Sequence, residues 1–115
     1  MSKREWKLYV EDILESLALI GSYTEGMHYD AFRKDRKTID AVVRNLEIIG
    51  EASKYIPEDI KTKYQHIDWK GIVGLRNRIT HEYFDVSINI IWHIIENELP
   101  LLKNQIASIL EKEKK

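Results

Sequence analysis

The chain has no cysteine, so a disulfide framework and thiolate chemistry are excluded; the absence fits a reducing compartment. It has no apolar run near the ~20 residues that cross a bilayer. Its first residues, Met1-Ser2-Lys3-Arg4-Glu5-Trp6, lead into an acid-bearing amphipathic pattern rather than a signal peptide. A cytoplasmic protein with no membrane partner is expected. Charge of one sign is not in excess: 18 basic against 19 acidic residues leave a net charge of −1. There is therefore no global attraction to nucleic acid, and any RNA contact must use a local patch. Strand-like alternation, internal repeats and low-complexity segments are also missing.

What remains is 115 residues, 43% hydrophobic and 32% charged. That is enough for one soluble globular domain spanning 1–115, small enough that oligomerisation would help it. Apolar residues recur at helical spacing. Trp6, Val10, Ile13, Leu17 and Ile20 form one stripe, opened by a Ser2/Glu5 capping box and followed by a loop between Gly21 and Gly26. A second helix starts between Asp30 and Asp35 and runs to about Tyr55, with Ile39, Val42, Val43, Leu46 and Ile49 inward. It stops before Pro57, because the residue preceding proline avoids the helical region. A short helix follows from Glu58 to Tyr64. Asp68 caps another from Trp69, which carries Ile72, Val73, Leu75 and Ile79. Asp85 or Ser87 caps a last helix through Ile88, Ile91, Trp92, Ile95 and Leu99. Pro100 kinks it or begins a new one. The charged tail from Glu111 to Lys115 is expected to fray into solvent. The fold class is all-α, a small helical bundle.

Chemistry concentrates in Arg76-Asn77-Arg78-Ile79-Thr80-His81-Glu82-Tyr83. A guanidinium clamps phosphate with two parallel hydrogen bonds, and an imidazole exchanges a proton near neutral pH. Together they suit RNA cleavage in which the 2′-hydroxyl attacks the adjacent phosphate. Arg76 is the candidate charge clamp, His81 the candidate acid/base and Asn77 a supporting polar group, and the reaction needs no metal or other cofactor. On a straight helix Arg76 and His81 lie about 140° apart. They can meet if the helix unwinds before His81, or if a second copy of the chain brings its own motif alongside. The second arrangement requires a homodimer and gathers four arginines, counting Arg78, around one substrate.

Plainer readings stand beside these. Arginines at helix ends pair with carboxylates, and histidines there cap carbonyls. His28, His66 and His93 are scattered and form no metal-ligand pattern. Trp69 and Trp92 read as core. Glu47 and Glu51, one turn apart, read as partners of Arg44, Lys54 or a motif arginine. Arg33, Lys34, Arg36 and Lys37 form either a solvated face or, with Arg78, a patch for the RNA backbone.

Across nearly the whole chain these residues resemble the HepT-like branch of the HEPN superfamily. Asn45-Leu46-Glu47-Ile48-Ile49-Gly50-Glu51-Ala52 is similar to that branch's second-helix signature. Ile67-Asp68-Trp69-Lys70-Gly71-Ile72-Val73-Gly74-Leu75-Arg76-Asn77 is similar to the approach to its active site. Arg76-x4-His81-x-Tyr83 matches its R-x4-6-H motif with the following tyrosine, and Tyr83-Phe84-Asp85-Val86 and Leu99-Pro100-Leu101-Leu102 also fit. The resemblance implies a four- to five-helix up-and-down bundle that dimerises around the motif. It implies an endoribonuclease toxin, with tRNA as a candidate substrate, paired with a minimal nucleotidyltransferase antitoxin that transfers AMP to Tyr83. Arg76 and His81 carry over as catalytic and Asn77 as supporting; the basic patch does not carry over. The competing classes are a non-catalytic HEPN module that binds nucleotides or a nucleotidyltransferase, and a purely structural helical dimer.

Overall fold

The structure is a computed structural model. It describes residues 5–84 and 88–114, and the side chains of 5–79 and 88–114. Eight α-helices and one π-helical turn make up its regular structure: α1 Trp6–Thr24, α2 Tyr29–Phe32, α3 Arg36–Ser53, α4 Glu58–Lys63, α5 Trp69–Val73, α6 Leu75–Phe84, α7 Ile88–His93, the π turn Ile94–Glu98 and α8 Leu99–Lys112. Four rods carry the bundle: α1, α3, α5 continued by α6, and α7 continued through the π turn into α8. They close a ring, with α1 against α3, α3 against α5 and α6, α6 against α7, and α8 back against α1. The short helices α2 and α4 cover the ends. No strand occurs among the described residues.

The stripes read from the sequence are the buried ones. Val10, Ile13, Leu17 and Ile20 of α1 meet Ile39, Val42, Leu46 and Ile49 of α3, and Ile91, Ile94, Ile106 and Ile109 complete the same core. Each such side chain contributes about 1.5–3 kcal/mol by leaving water. Trp69 and Trp92 are buried as expected. The indole of Trp69 donates to Tyr64 O at 3.1 Å, and Trp92 packs on Phe32.

Several boundaries differ from the sequence expectation. Helix α1 passes through Gly21 and ends at Thr24. Nothing crowds position 21, and Thr24 extends the last turn by donating its hydroxyl to Ile20 O at 2.8 Å. The chain turns instead at Gly26, whose φ of +76° favours glycine. Asp35 caps α3 by accepting from Thr38 N at 3.1 Å. The backbone reaches Tyr55 in a final turn, and Ile56-Pro57 ends it as expected.

The tail is not frayed through Glu113. That carboxylate, with 17% of its side chain exposed, accepts from Lys63 Nζ and from the Tyr64 hydroxyl. Lys7 Nζ donates to Glu113 O at 2.9 Å. Two elements far apart in sequence, α1 and the end of α4, therefore converge on the end of α8, a contact no local pattern reveals. Ser2 of the expected capping box and the expected caps Asp85 and Ser87 lie outside the described residues. No described helix is long and apolar enough to cross a membrane.

Candidate active site

The motif rides on α5–α6. Asp68 opens this rod by accepting from Gly71 N at 3.0 Å, as an N-cap should. At Gly74 the helix is reset but not broken: Gly74 N bonds to Lys70 O and Arg78 N to Gly74 O, both at 3.0 Å. Ile72, Leu75 and Ile79 turn inward. Arg76, Asn77 and Arg78 therefore face solvent.

Gly50 of α3 sets how closely the rods cross. A Cβ built there would lie 3.2 Å from Ile72 O and 3.5 Å from Arg76 N, so a larger side chain would push the start of α6 away. The sequence signature around Gly50 held this residue, but its role depends on a partner more than twenty residues on.

Helix α6 runs without interruption through positions 81 and 83 to Phe84. The chain therefore does not unwind before His81, the first of the two arrangements that would let it meet Arg76. The i→i−4 ladder carries both positions on one rod, about 7.5 Å apart along the axis and about 140° apart around it. Positions 77 and 81 share a face, about 40° apart. The side chains of His81 and Tyr83 lie outside those described.

The exposed cations differ in their partners. Arg76 makes no ion pair or side-chain hydrogen bond among the described residues. Arg78 does: its Nη1 donates to Glu98 Oε1 at 3.2 Å and its Nη2 to Oε2 at 2.8 Å. This fork joins α6 to the π turn and rims a cleft of about 410 Å³ floored by Ile72, Leu75, Ile94, Leu99 and Leu102. Glu98 was not among the sequence candidates, since twenty residues separate it from Arg78.

Two members of the basic run are likewise engaged. Arg33 pairs with Asp30 at 3.3 Å and Arg36 with Asp40 at 3.4 Å. Lys34 and Lys37 remain exposed without an ion pair among the described residues. Asp35, between them, is held below the usual carboxylate range by the hydroxyl and then the backbone N–H of Thr38. Glu51 pairs with Lys54 at 3.4 Å, one of the partners expected for it. His93 sits against Asn97, 3.0 Å from Nδ1 to Nδ2; His66 lies edge-on to Tyr64. Among the described residues no group of three or more His, Asp or Glu side chains is placed to hold a metal ion.

The four-rod helical bundle thus carries an exposed Arg-Asn-Arg segment on one rod, leading into a histidine and a tyrosine on the same helix, and its class is a family of helical ribonucleases. The family model "Ribonuclease HepT-like" matches residues 13–109, and the chain belongs to that family, within the HEPN superfamily. It is 41% identical over 111 residues to "Putative RNase MJ0127" of Methanocaldococcus jannaschii, covering 96% of this chain and 92% of that protein. It is 42% identical over 106 residues to "Putative RNase TTE0752" of Caldanaerobacter subterraneus subsp. tengcongensis, covering 92% and 95%. It is 39% identical over 107 residues to "Probable ribonuclease HepT" of Thermococcus cleftensis, covering 93% and 97%. No solved structure matches the chain.

Proposed function

We propose that this endoribonuclease cuts RNA by internal transfer at a site composed from two copies of the chain, with no metal taking part. The observation that carries the reading is the unbroken helix bearing Arg76 without a partner among the described residues and His81 five positions on. The imidazole of His81 takes the proton of a ribose 2′-hydroxyl, and that oxygen forms a bond to the neighbouring phosphorus. Arg76 offers two N–H donors to the phosphate oxygens as negative charge concentrates there. The bond to the 5′-oxygen breaks, and this oxygen takes a proton from the imidazolium or from water. The products are a 2′,3′-cyclic phosphate and a 5′-hydroxyl. Asn77, exposed on the same face as position 81, positions the ribose or phosphate. Lys34 and Lys37, with Arg33 and Arg36 after exchange of their intrahelical partners, extend the hold on the RNA backbone.

The family resemblance supports a biological setting for this reaction. The chain acts as the toxin of a toxin–antitoxin pair in the cytoplasm, its RNA includes tRNA, and a minimal nucleotidyltransferase silences it by placing AMP on Tyr83. Incubating the purified protein with total tRNA in EDTA, followed by end-group analysis, tests the chemistry. Fragments ending in a 2′,3′-cyclic phosphate are expected. Cleavage that requires magnesium overturns the mechanism, and no cleavage under any condition leaves a non-catalytic HEPN module that binds nucleotide or a nucleotidyltransferase.

A further inference from the structure

Arg78 belongs to the motif by sequence, yet its guanidinium is committed to the π turn. We infer that Glu98 is a positioning residue for the cleavage reaction: its fork with Arg78 fixes the rotation of α6 and so aims the catalytic face of that helix. The inference rests on the ribonuclease reading above and assigns Arg78 to the frame of the site rather than to direct contact with RNA.

Three observations support it. First, the fork adds a polar tie to a helix that otherwise rests on α3 and α7 by packing. Among its described side chains, those of 75–79, Leu75 and Ile79 are the buried ones. Its N-terminal end is fixed where Gly50 admits the backbone at Arg76 N. Two residues further on, the fork to Glu98 ties the helix to the π turn. Position 81 lies one turn beyond Arg78 and about 60° around the helix, so a roll at Arg78 displaces it directly.

Second, the contact is bidentate, with Nη1 donating to Oε1 and Nη2 to Oε2. A guanidinium–carboxylate fork specifies orientation in a way a lysine contact does not. The two side chains keep 40% and 41% of their surface. Exposed pairs of this kind add little to global stability, so the value of the fork lies in direction.

Third, the π turn places the acceptor. Pro100 has no N–H, and its ring crowds the carbonyl four residues earlier. The chain accommodates it by widening the preceding turn: Leu99 N bonds to Ile94 O, five residues back. One extra residue in a turn shifts the following positions by about 100° relative to a regular helix. Glu98, the last residue of this widened turn, reaches α6 while Leu99 and Leu102 stay in the core. Asn97, beside it, secures the turn by donating to His93 O at 3.2 Å.

The test compares wild type, Glu98→Gln, Arg78→Glu and the double exchange Arg78→Glu with Glu98→Arg. Steady-state cleavage of a single-stranded RNA oligonucleotide, melting temperature and amide hydrogen exchange are measured on each. Glu98→Gln should lower kcat about tenfold or more, since misplacement by about 1 Å costs up to ~10²-fold. Its KM should change less than about twofold and its melting temperature little. The double exchange should recover most of the lost kcat. If Arg78 instead holds RNA, freeing it in Glu98→Gln lowers KM, and the double exchange cleaves no better than Arg78→Glu; either result overturns the inference. Amide exchange along α6 should quicken in Glu98→Gln whether or not RNA is cut. Unchanged exchange removes the tether itself. Quickened exchange in a protein whose wild type cuts no RNA keeps the tether and removes the ribonuclease reading.

Discussion

At the scale of single residues, the motif separates into groups with different partners. Arg76 is exposed and without an ion pair among the described residues, and in the proposed reaction its donors hold the phosphate; Arg78 pairs with Glu98. Arg76→Ala should therefore lower the cleavage rate about 10²–10³-fold, the usual cost of losing a transition-state charge donor. His81→Ala should lower it about 10²–10⁴-fold by removing the acid/base. Circular dichroism of both variants should match wild type, because Arg76 packs against nothing in the core; a His81→Ala protein with full activity would make His81 a structural cap. Tyr83, two positions beyond, is the proposed position of modification. AMP attached there would bring a phosphate to the helix bearing Arg76, to pair with that guanidinium and repel incoming RNA. Inhibition is then a local neutralisation. Protein co-expressed with a minimal nucleotidyltransferase should carry AMP on Tyr83 by mass spectrometry and cut no RNA, while Tyr83→Phe stays active. Equal silencing of Tyr83→Phe would move the antitoxin's action elsewhere.

At the scale of elements, what the sequence reveals is what repeats locally. The stripes of α1 and α3, the stop at Pro57 and the Asp68 cap follow from periodicity and backbone chemistry within a few residues, and the structure has them. Gly21 misleads because a glycine punctuates a helix only where the chain needs its freedom, and that need arises at Gly26 instead. Pro100 announces a disturbance, but the π turn that absorbs it, and the direction this gives Glu98, depend on α6. Arg76 and His81 are legible as a pair by residue type; Glu98 and the crossing at Gly50 are not, because each gains meaning only across the bundle. The tail misleads for the same reason. Its charges look solvated, yet Glu113 is pinned by Lys63 and Tyr64, which hold its carboxyl below the usual range. Hydrogen bonding to Glu113 in turn raises the pKa of Lys63 and of the Tyr64 phenol. A carboxylate depressed in the folded state stabilises above its unfolded pKa, about 4.3, and the benefit fades as pH falls through the lower folded value. Groups raised in the folded state stabilise below their unfolded values, about 10 for both, and the benefit fades as pH rises through the folded ones. The clasp should thus act fully from about pH 5 to 9. Glu113→Gln should lower the melting temperature across that window and narrow its gap to wild type at pH 3; a constant gap from pH 3 to 7 would show that the charge contributes nothing.

At the scale of the whole molecule, one chain presents a problem that two can solve. The four-rod ring holds α6 straight through the motif, so Arg76 and position 81 point about 140° apart. A single phosphate is reached from both only if the RNA wraps the helix or a second α6 lies alongside. In the proposed dimer a two-fold axis next to the motif would supply the second helix, and each of its two sites would take Arg76 from one protomer and His81 from the other. It also gathers the positive charge that a chain of net charge −1 lacks. Sedimentation at micromolar concentration should find two chains per particle. The stricter prediction concerns complementation. Arg76→Ala and His81→Ala are each inactive alone, because every site in either homodimer lacks one group. When the two are mixed and allowed to exchange subunits, half of the particles are heterodimers. In each of these, one site has lost both groups and the other has both intact. Cleavage should therefore return to about a quarter of the wild-type rate per chain, as random pairing in a two-fold dimer requires. If both groups of a site came from one protomer, no pairing would restore them and the mixture would stay silent. A silent mixture whose subunits have demonstrably exchanged, or a monomer that still cuts RNA, would show that each chain brings its own arginine and histidine to the phosphate.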